Sequence, residues 1–146
     1  MFSHILVPLD GSDNSKSALK VAIKISRYFG STITLIAVID QTRVTLAAGN
    51  IPMDLQNDLR GHAVTVINEG KKLTEAAGID AKTMIESGPP KSVIAETANK
   101  QDFDLIVMGK SGADAFNRLL IGSTTAYVVR HADVQVLVVN AGEKVE

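Results

Sequence analysis

The chain has 146 residues, the size of one domain, and its 45% hydrophobic and 21% charged residues exclude global disorder, because that much apolar surface offsets chain entropy. Lys+Arg number 15 against 16 Asp+Glu, a net charge of -1, which excludes the broad basic field of nonspecific nucleic-acid or anionic-membrane binders. The absence of cysteine excludes disulfides, thiolate metal sites and cysteine nucleophiles.

Residues 4–9 (HILVPL) form a short apolar run before Asp10-Gly11-Ser12-Asp13, the pattern of a strand buried on both faces and then a turn. Ser12 or Asp13 caps a helix whose inner face is predicted to carry Ala18, Val21, Ala22, Ile25 and Phe29, with Gly30 as its stop. Residues 32–39 (TITLIAVI) are β-branched and apolar, a second buried strand ending at Asp40. Pro52 opens a long helix with Leu55, Leu59, His62/Ala63, Val66, Leu73 and Ala77 at helical steps. Gly61 and Gly70 weaken it by roughly 1 kcal/mol each and point to a bend or close packing.

Residues 80–86 (DAKTMIE) alternate poorly, as a strand near a sheet edge does, before the break at Ser87-Gly88-Pro89-Pro90. Pro90 suits the first position of a helix with Val93, Ile94, Thr97 and Ala98 inward, and residues 104–108 (DLIVM) return as a buried strand. Ala126, Tyr127 and Arg130 fall at helical steps over 123–131, and Val134 to Val139 (VQVLVV) form a last strand. The order βαβαβαβαβ predicts an α/β fold over 1–146, an open and mainly parallel sheet with helices on both faces. In such sheets ligands collect at the carboxyl ends of strands, here the loops after Leu9, Ile39 and Met108.

One of those loops carries a pattern of its own. Gly109-Lys110-Ser111-Gly112 is followed by nine residues and then Gly122-Ser123-Thr124, a G-x2-G-x9-G-S spacing. Glycines there permit unusual dihedrals and let amides approach an anion, and the helix after Gly122 would aim unpaired N–H groups and its positive dipole end at the same region. The plainer alternative is that Gly109 turns the chain, Gly112 loosens a loop and Ser123 is an N-cap. Asp10 likewise reads either as a turn residue or as a magnesium ligand beside phosphates. Neither a Walker A sequence nor G-x-G-x-x-G is present. His4, His62 and His131 have no metal-ligand spacing, and His131 is expected to pack or hydrogen-bond. The opening residues lack a signal-peptide pattern and no window has the ~20 apolar residues of a membrane span, so a soluble cytoplasmic protein is expected.

The glycine motif, together with residues 5–12 (ILVPLDGS), 104–109 (DLIVMG), Arg130-His131-Ala132 and residues 136–139 (VLVV), resembles the nucleotide-binding branch of the universal stress protein family over nearly the whole chain. The resemblance implies a five-stranded parallel sheet and a homodimer paired through Val134 to Val139. It implies ATP, or AMP or another adenine nucleotide, as ligand, with Mg as an accompanying ion at Asp10. By position it places Pro8 and Asp10 beside ribose and phosphates, and Val38 with its backbone toward adenine. Met108 and Gly109 would lie on the sugar side, Gly112 and Gly122 would offer amides to the phosphates, and Ser123 and Thr124 would donate to the terminal ones. Lys110 and Arg118 are further candidate cations.

The implied function is a homodimeric, nucleotide-binding regulatory module in stress response. The alternatives are a weak ATPase or autophosphorylating phosphotransferase acting on Ser111 or Ser123, and an interaction dimer that needs no nucleotide. No residue in the sequence is identified as positioning a hydrolytic water, so no catalytic residue is assigned.

Overall fold

The computed structural model describes residues 1–41, 52–111 and 120–140. Among them strands and helices alternate: β1 (His4–Pro8), α1 (Asp13–Phe29), β2 (Thr32–Ile39), α2 (Met53–Ala76), β3 (Lys82–Ser87), α3 (Pro90–Lys100), β4 (Leu105–Gly109), α4 (Ser123–His131) and β5 (Gln135–Val139). All strand pairings are parallel and the sheet order is β3-β2-β1-β4-β5. The expected order of elements and the helix-flanked parallel sheet are what the structure has. The ends of β1, β3, β4 and β5 differ from the sequence expectation by one or two residues. Asp104 stands outside β4 because its carboxylate accepts from the N–H groups of Ser3, at 2.8 Å, and His4, at 3.1 Å, tying the starts of β1 and β4 together.

The period-2 geometry of the strands divides the interior into two cores. Ile5 and Val7 of β1 with Ile33 and Leu35 of β2 pack beneath α1 and α2, whereas Leu6, Ile36, Ile106 and Met108 pack with Ile94, Ala98 and Val128 of α3 and α4. Each fully buried Leu or Ile contributes roughly 1.5–3 kcal/mol, and both faces of β1, β2 and β4 are covered, which is why their sequences are continuous apolar runs. β3 lies at one edge, as its mixed composition predicts.

Local chemistry sets the helix ends. Ser12 caps α1, its hydroxyl accepting from the Ser15 N–H at 3.2 Å, and Gly30 ends it at φ 71. In α2 the two glycines differ: a Cβ on Gly70 would come within 2.4 Å of Leu9 Cδ1 and 3.2 Å of Leu35 Cδ1, so its bareness lets α2 lie close to the sheet, whereas one on Gly61 would meet nothing within 4 Å.

The inner face of α1 is not the predicted one. Ala18 and Ala22 are buried, but Ser15, Leu19, Ile23 and Ser26 complete the face, Val21 and Ile25 flank it, and Phe29 is 44% exposed. The buried serines explain the rotation. Ser26 Oγ donates to the Ser31 carbonyl at 2.6 Å and Ser15 Oγ to the Ser12 carbonyl at 3.0 Å, so both enter the interior with their polarity satisfied.

Candidate functional site

The strand order places β2 and β3 on one side of β1 and β4 and β5 on the other, so the chain connections diverge at the carboxyl ends of β1 and β4. A crevice is expected at such a reversal. A cavity of about 570 Å³ lies there, within the usual range of small-molecule sites. Its lining comes from both sides of the sheet: Leu59, His62, Ala63 and Val66 from α2, and Pro90 and Ile94 from α3. Strand ends contribute Pro8, Asp10, Val38, Asp40, Met108 and Gly109, and the start of α4 contributes Gly122, Ser123, Thr124 and Thr125. The apolar members suit a flat heterocycle; the polar members converge from the turn after β1, the end of β4 and the start of α4.

The electrostatics of the α4 end follow from its capping. Gly122 is the N-cap and offers no side chain, and among the described residues the N–H groups of Ser123 and Thr124 have no hydrogen-bond partner. Ser123 is therefore the first helical residue and not the cap. Open amides at a helix start carry partial positive charge and favour an anion by about 0.3–1 kcal/mol. The third hydroxyl of this turn is engaged within the fold. Thr125 is buried and its Oγ1 donates to the Gly109 carbonyl at 2.9 Å, fixing α4 to the end of β4.

Two glycine roles need correction. The N–H of Gly122 already donates to the Lys110 carbonyl at 2.9 Å, and its φ of -59 and ψ of 152 are open to other residues, so the amides without a partner are those that follow it, Ser123 and Thr124 with the buried Thr125 behind them. Gly109 does not have a positive φ, and it does not turn the chain. It closes β4, where a Cβ would stand 2.9 Å from Asn14 Cβ and 3.0 Å from the Asn14 carbonyl carbon and oxygen. Glycine at 109 is required by helix-against-strand packing. Gly112 and Arg118 lie outside the described residues.

Asp10 combines its two readings. One carboxylate oxygen accepts from the N–H of Ser12 at 2.9 Å and from the Ser12 hydroxyl, closing a turn through Gly11 at φ 84. The other has no hydrogen-bond partner among the described residues, and Asp10 is exposed and lines the cavity.

Sequence reasoning does not single out Asp40, His62, Ser111, Pro90 or Thr125 as lining residues. Asp40 follows β2 at the strand end the carboxyl-edge rule marks, and Ser111 lies inside the glycine motif, so both carry a signal. Periodicity reads His62 as packing on the inner stripe of α2, but Ala63 is the buried member of that pair and His62 is exposed and lines the cavity. The remaining histidines are elsewhere: His4 Nδ1 lies 2.7 Å from Thr32 Oγ1, and His131 Nδ1 donates to the Tyr127 carbonyl at 2.9 Å while its ring stacks on that tyrosine. The expectation for His131 is met. Among the described residues there is no group of three or more His, Cys, Asp or Glu able to hold a metal alone, and no helix is long and apolar enough to cross a membrane.

The family model described as the universal stress protein family matches residues 1–140. A universal stress protein of Methanocaldococcus jannaschii is 32% identical over 145 residues, covering 99% of this chain and 85% of the relative. Among solved structures, the hypothetical protein MJ0577 is similar with a TM-score of 0.84 at 30% identity, over 95% of this chain and 96% of the other. More distant structures share the fold. One is a universal stress protein in complex with cAMP, with a TM-score of 0.75 at 24% identity, over 97% of this chain and 99% of the other. Another is an Arabidopsis thaliana family protein with AMP bound, with a TM-score of 0.72 at 17% identity, over 97% and 93%.

Proposed function

This chain belongs to the universal stress protein family, and on that premise we propose that it binds an adenine nucleotide, ATP foremost, in the cavity at the carboxyl edge of β1, β2 and β4. One observation carries the reading: a single 570 Å³ space joins an apolar lining that suits a purine to the uncapped start of α4, which suits phosphate. The cAMP and AMP complexes of proteins with this fold support it. The base lies against Val38 and Ile94, Met108 and Gly109 lie on the sugar side, and the phosphates meet the N–H groups and hydroxyls of Ser123 and Thr124. A basic surface is not needed, in keeping with the net charge of -1.

The unengaged carboxylate oxygen of Asp10 fits a magnesium ion that arrives with the nucleotide, because Mg²⁺ keeps several waters and needs only one or two carboxylates besides the phosphates. Bound there, the ion would neutralise phosphate charge. Asp10 would hold it with the oxygen that its turn leaves free.

Calorimetry on dialysed protein tests the reading. ATP is expected to bind more tightly than AMP, and AMP more tightly than adenosine. Ligand at 100 times its Kd is expected to raise the unfolding midpoint by roughly 5–10 °C. Failure of all three to bind or protect would overturn the proposal.

The same reading includes a homodimer through β5, with nucleotide occupancy altering the surface that the dimer offers to partners in stress response. The two sheet edges differ in the way this requires: β3 carries Lys82 and Glu86, charges that discourage edge pairing, whereas β5 (QVLVV) has none and leaves Leu137 38% exposed. Sedimentation at micromolar concentration is expected to show a dimer, and Leu137→Lys a monomer that still binds ATP. A wild-type monomer would remove the dimer from the proposal.

A further inference from the structure

We propose that Asn14 is a positioning residue that clamps the start of the β4–α4 connection against α1, and that it thereby favours the phosphate-bearing part of the ligand over the base. The inference rests on the nucleotide reading above, but the clamp itself has a readout that needs no ligand. Asn14 is the second residue of α1 and half-buried. Its Nδ2 donates to the Ser111 carbonyl at 2.8 Å and lies 2.9 Å from Ser111 Oγ, so its amide donors are directed at one residue 97 positions away.

Ser111 lines the cavity, and its backbone marks where the chain leaves β4. The backbone of Asn14 also fills the space that a side chain at Gly109 would take. Two residues earlier, Ser12 holds the carboxylate of Asp10. The first turn of α1 therefore grips both polar segments that face the proposed phosphates, the turn at Asp10 to Ser12 and the segment Gly109 to Ser111. The connection is further closed by Lys110 N–H to the Val139 carbonyl and Gly122 N–H to the Lys110 carbonyl, each at 2.9 Å. The apolar lining at Val38, Ile94 and Met108 depends on none of these bonds. Loss of the clamp should therefore be felt by phosphates and not by the base.

Asn14→Ala is the test, because alanine suits a helix and keeps the Cβ that faces Gly109. Two hydrogen bonds are removed, so ATP binding is expected to weaken about 10-fold while adenosine binding stays within about 2-fold. Amide hydrogen exchange without ligand is expected to accelerate at Lys110 and Gly122 and to stay unchanged at Leu19 in the core. Equal losses for ATP and adenosine, or unchanged exchange at Lys110 and Gly122, would overturn the proposal. Should the wild-type protein bind no adenine nucleotide, the functional reading fails and exchange alone decides: faster exchange at Lys110 and Gly122 upholds the clamp, and unchanged exchange removes it.

Discussion

Ser123→Asp is expected to weaken ATP binding about 100-fold, to leave adenosine within about 2-fold and to leave the unfolding midpoint unchanged or slightly higher. The sign of each effect follows from one position. Residue 123 is exposed, so the larger side chain meets no steric barrier, and it is the first helical residue of α4. A carboxylate there interacts favourably with the open amides and contributes about 0.3–1 kcal/mol to the helix. That same carboxylate occupies the place proposed for the terminal phosphates. Two unit charges about 4 Å apart repel by about 4 kcal/mol at an effective dielectric near 20, and partial solvent screening brings this toward the ~2.7 kcal/mol that a 100-fold loss represents. Ser123→Ala, which removes only a hydroxyl, is expected to cost a few-fold. Calorimetry with ATP and adenosine on both variants separates the terms. An ATP affinity unchanged in Ser123→Asp would mean that the phosphates do not lie at α4.

The elements are legible because the strongest signals in the sequence are short-range. Continuous apolar runs mark strands covered on both faces, and Gly30, Pro90 and Ser12 act within one turn of the chain. The carboxyl edge follows from topology, which marks the loops after Leu9, Ile39 and Met108; the individual residues Pro8, Asp10, Val38, Met108, Gly109, Gly122, Ser123 and Thr124 come from the family resemblance, and all of them line one cavity. What stays hidden is what depends on contact between distant segments. Nothing near Gly109 announces that the backbone of Asn14 lies against it, and nothing near Gly122 shows that its amide is taken by Lys110. The inner face of α1 differs from expectation for a related reason: a count of apolar residues gives no weight to Ser15 and Ser26, which are buried because each finds a carbonyl nearby. His62 is exposed at the cavity and not packed in the core as its helical spacing suggests, because periodicity alone does not distinguish a residue that meets the core from one that meets a cavity above it.

Two glycines should respond in opposite directions to the same methyl group. Gly109→Ala is expected to destabilise the protein by about 1–3 kcal/mol, because the new Cβ would stand about 3 Å from the Asn14 backbone and neither backbone can rotate away. Either α1 or β4 must shift, and the shift would pull on the Thr125 hydroxyl that holds the Gly109 carbonyl. Unfolding followed by circular dichroism should show a midpoint lower by roughly 3–10 °C. Adding Asn14→Ala to this variant is not expected to restore stability, since two of the three close atoms belong to the Asn14 backbone and the third, its Cβ, is retained. In contrast, Gly61→Ala places a methyl on an exposed helical position with nothing within 4 Å, and is expected to stabilise by about 0.5–1 kcal/mol by restricting the unfolded chain. Equal midpoints for Gly109→Ala and wild type would mean that α1 does not rest on the end of β4 as described, and the positions of Ser111 and Asn14 in the site would fall with that contact.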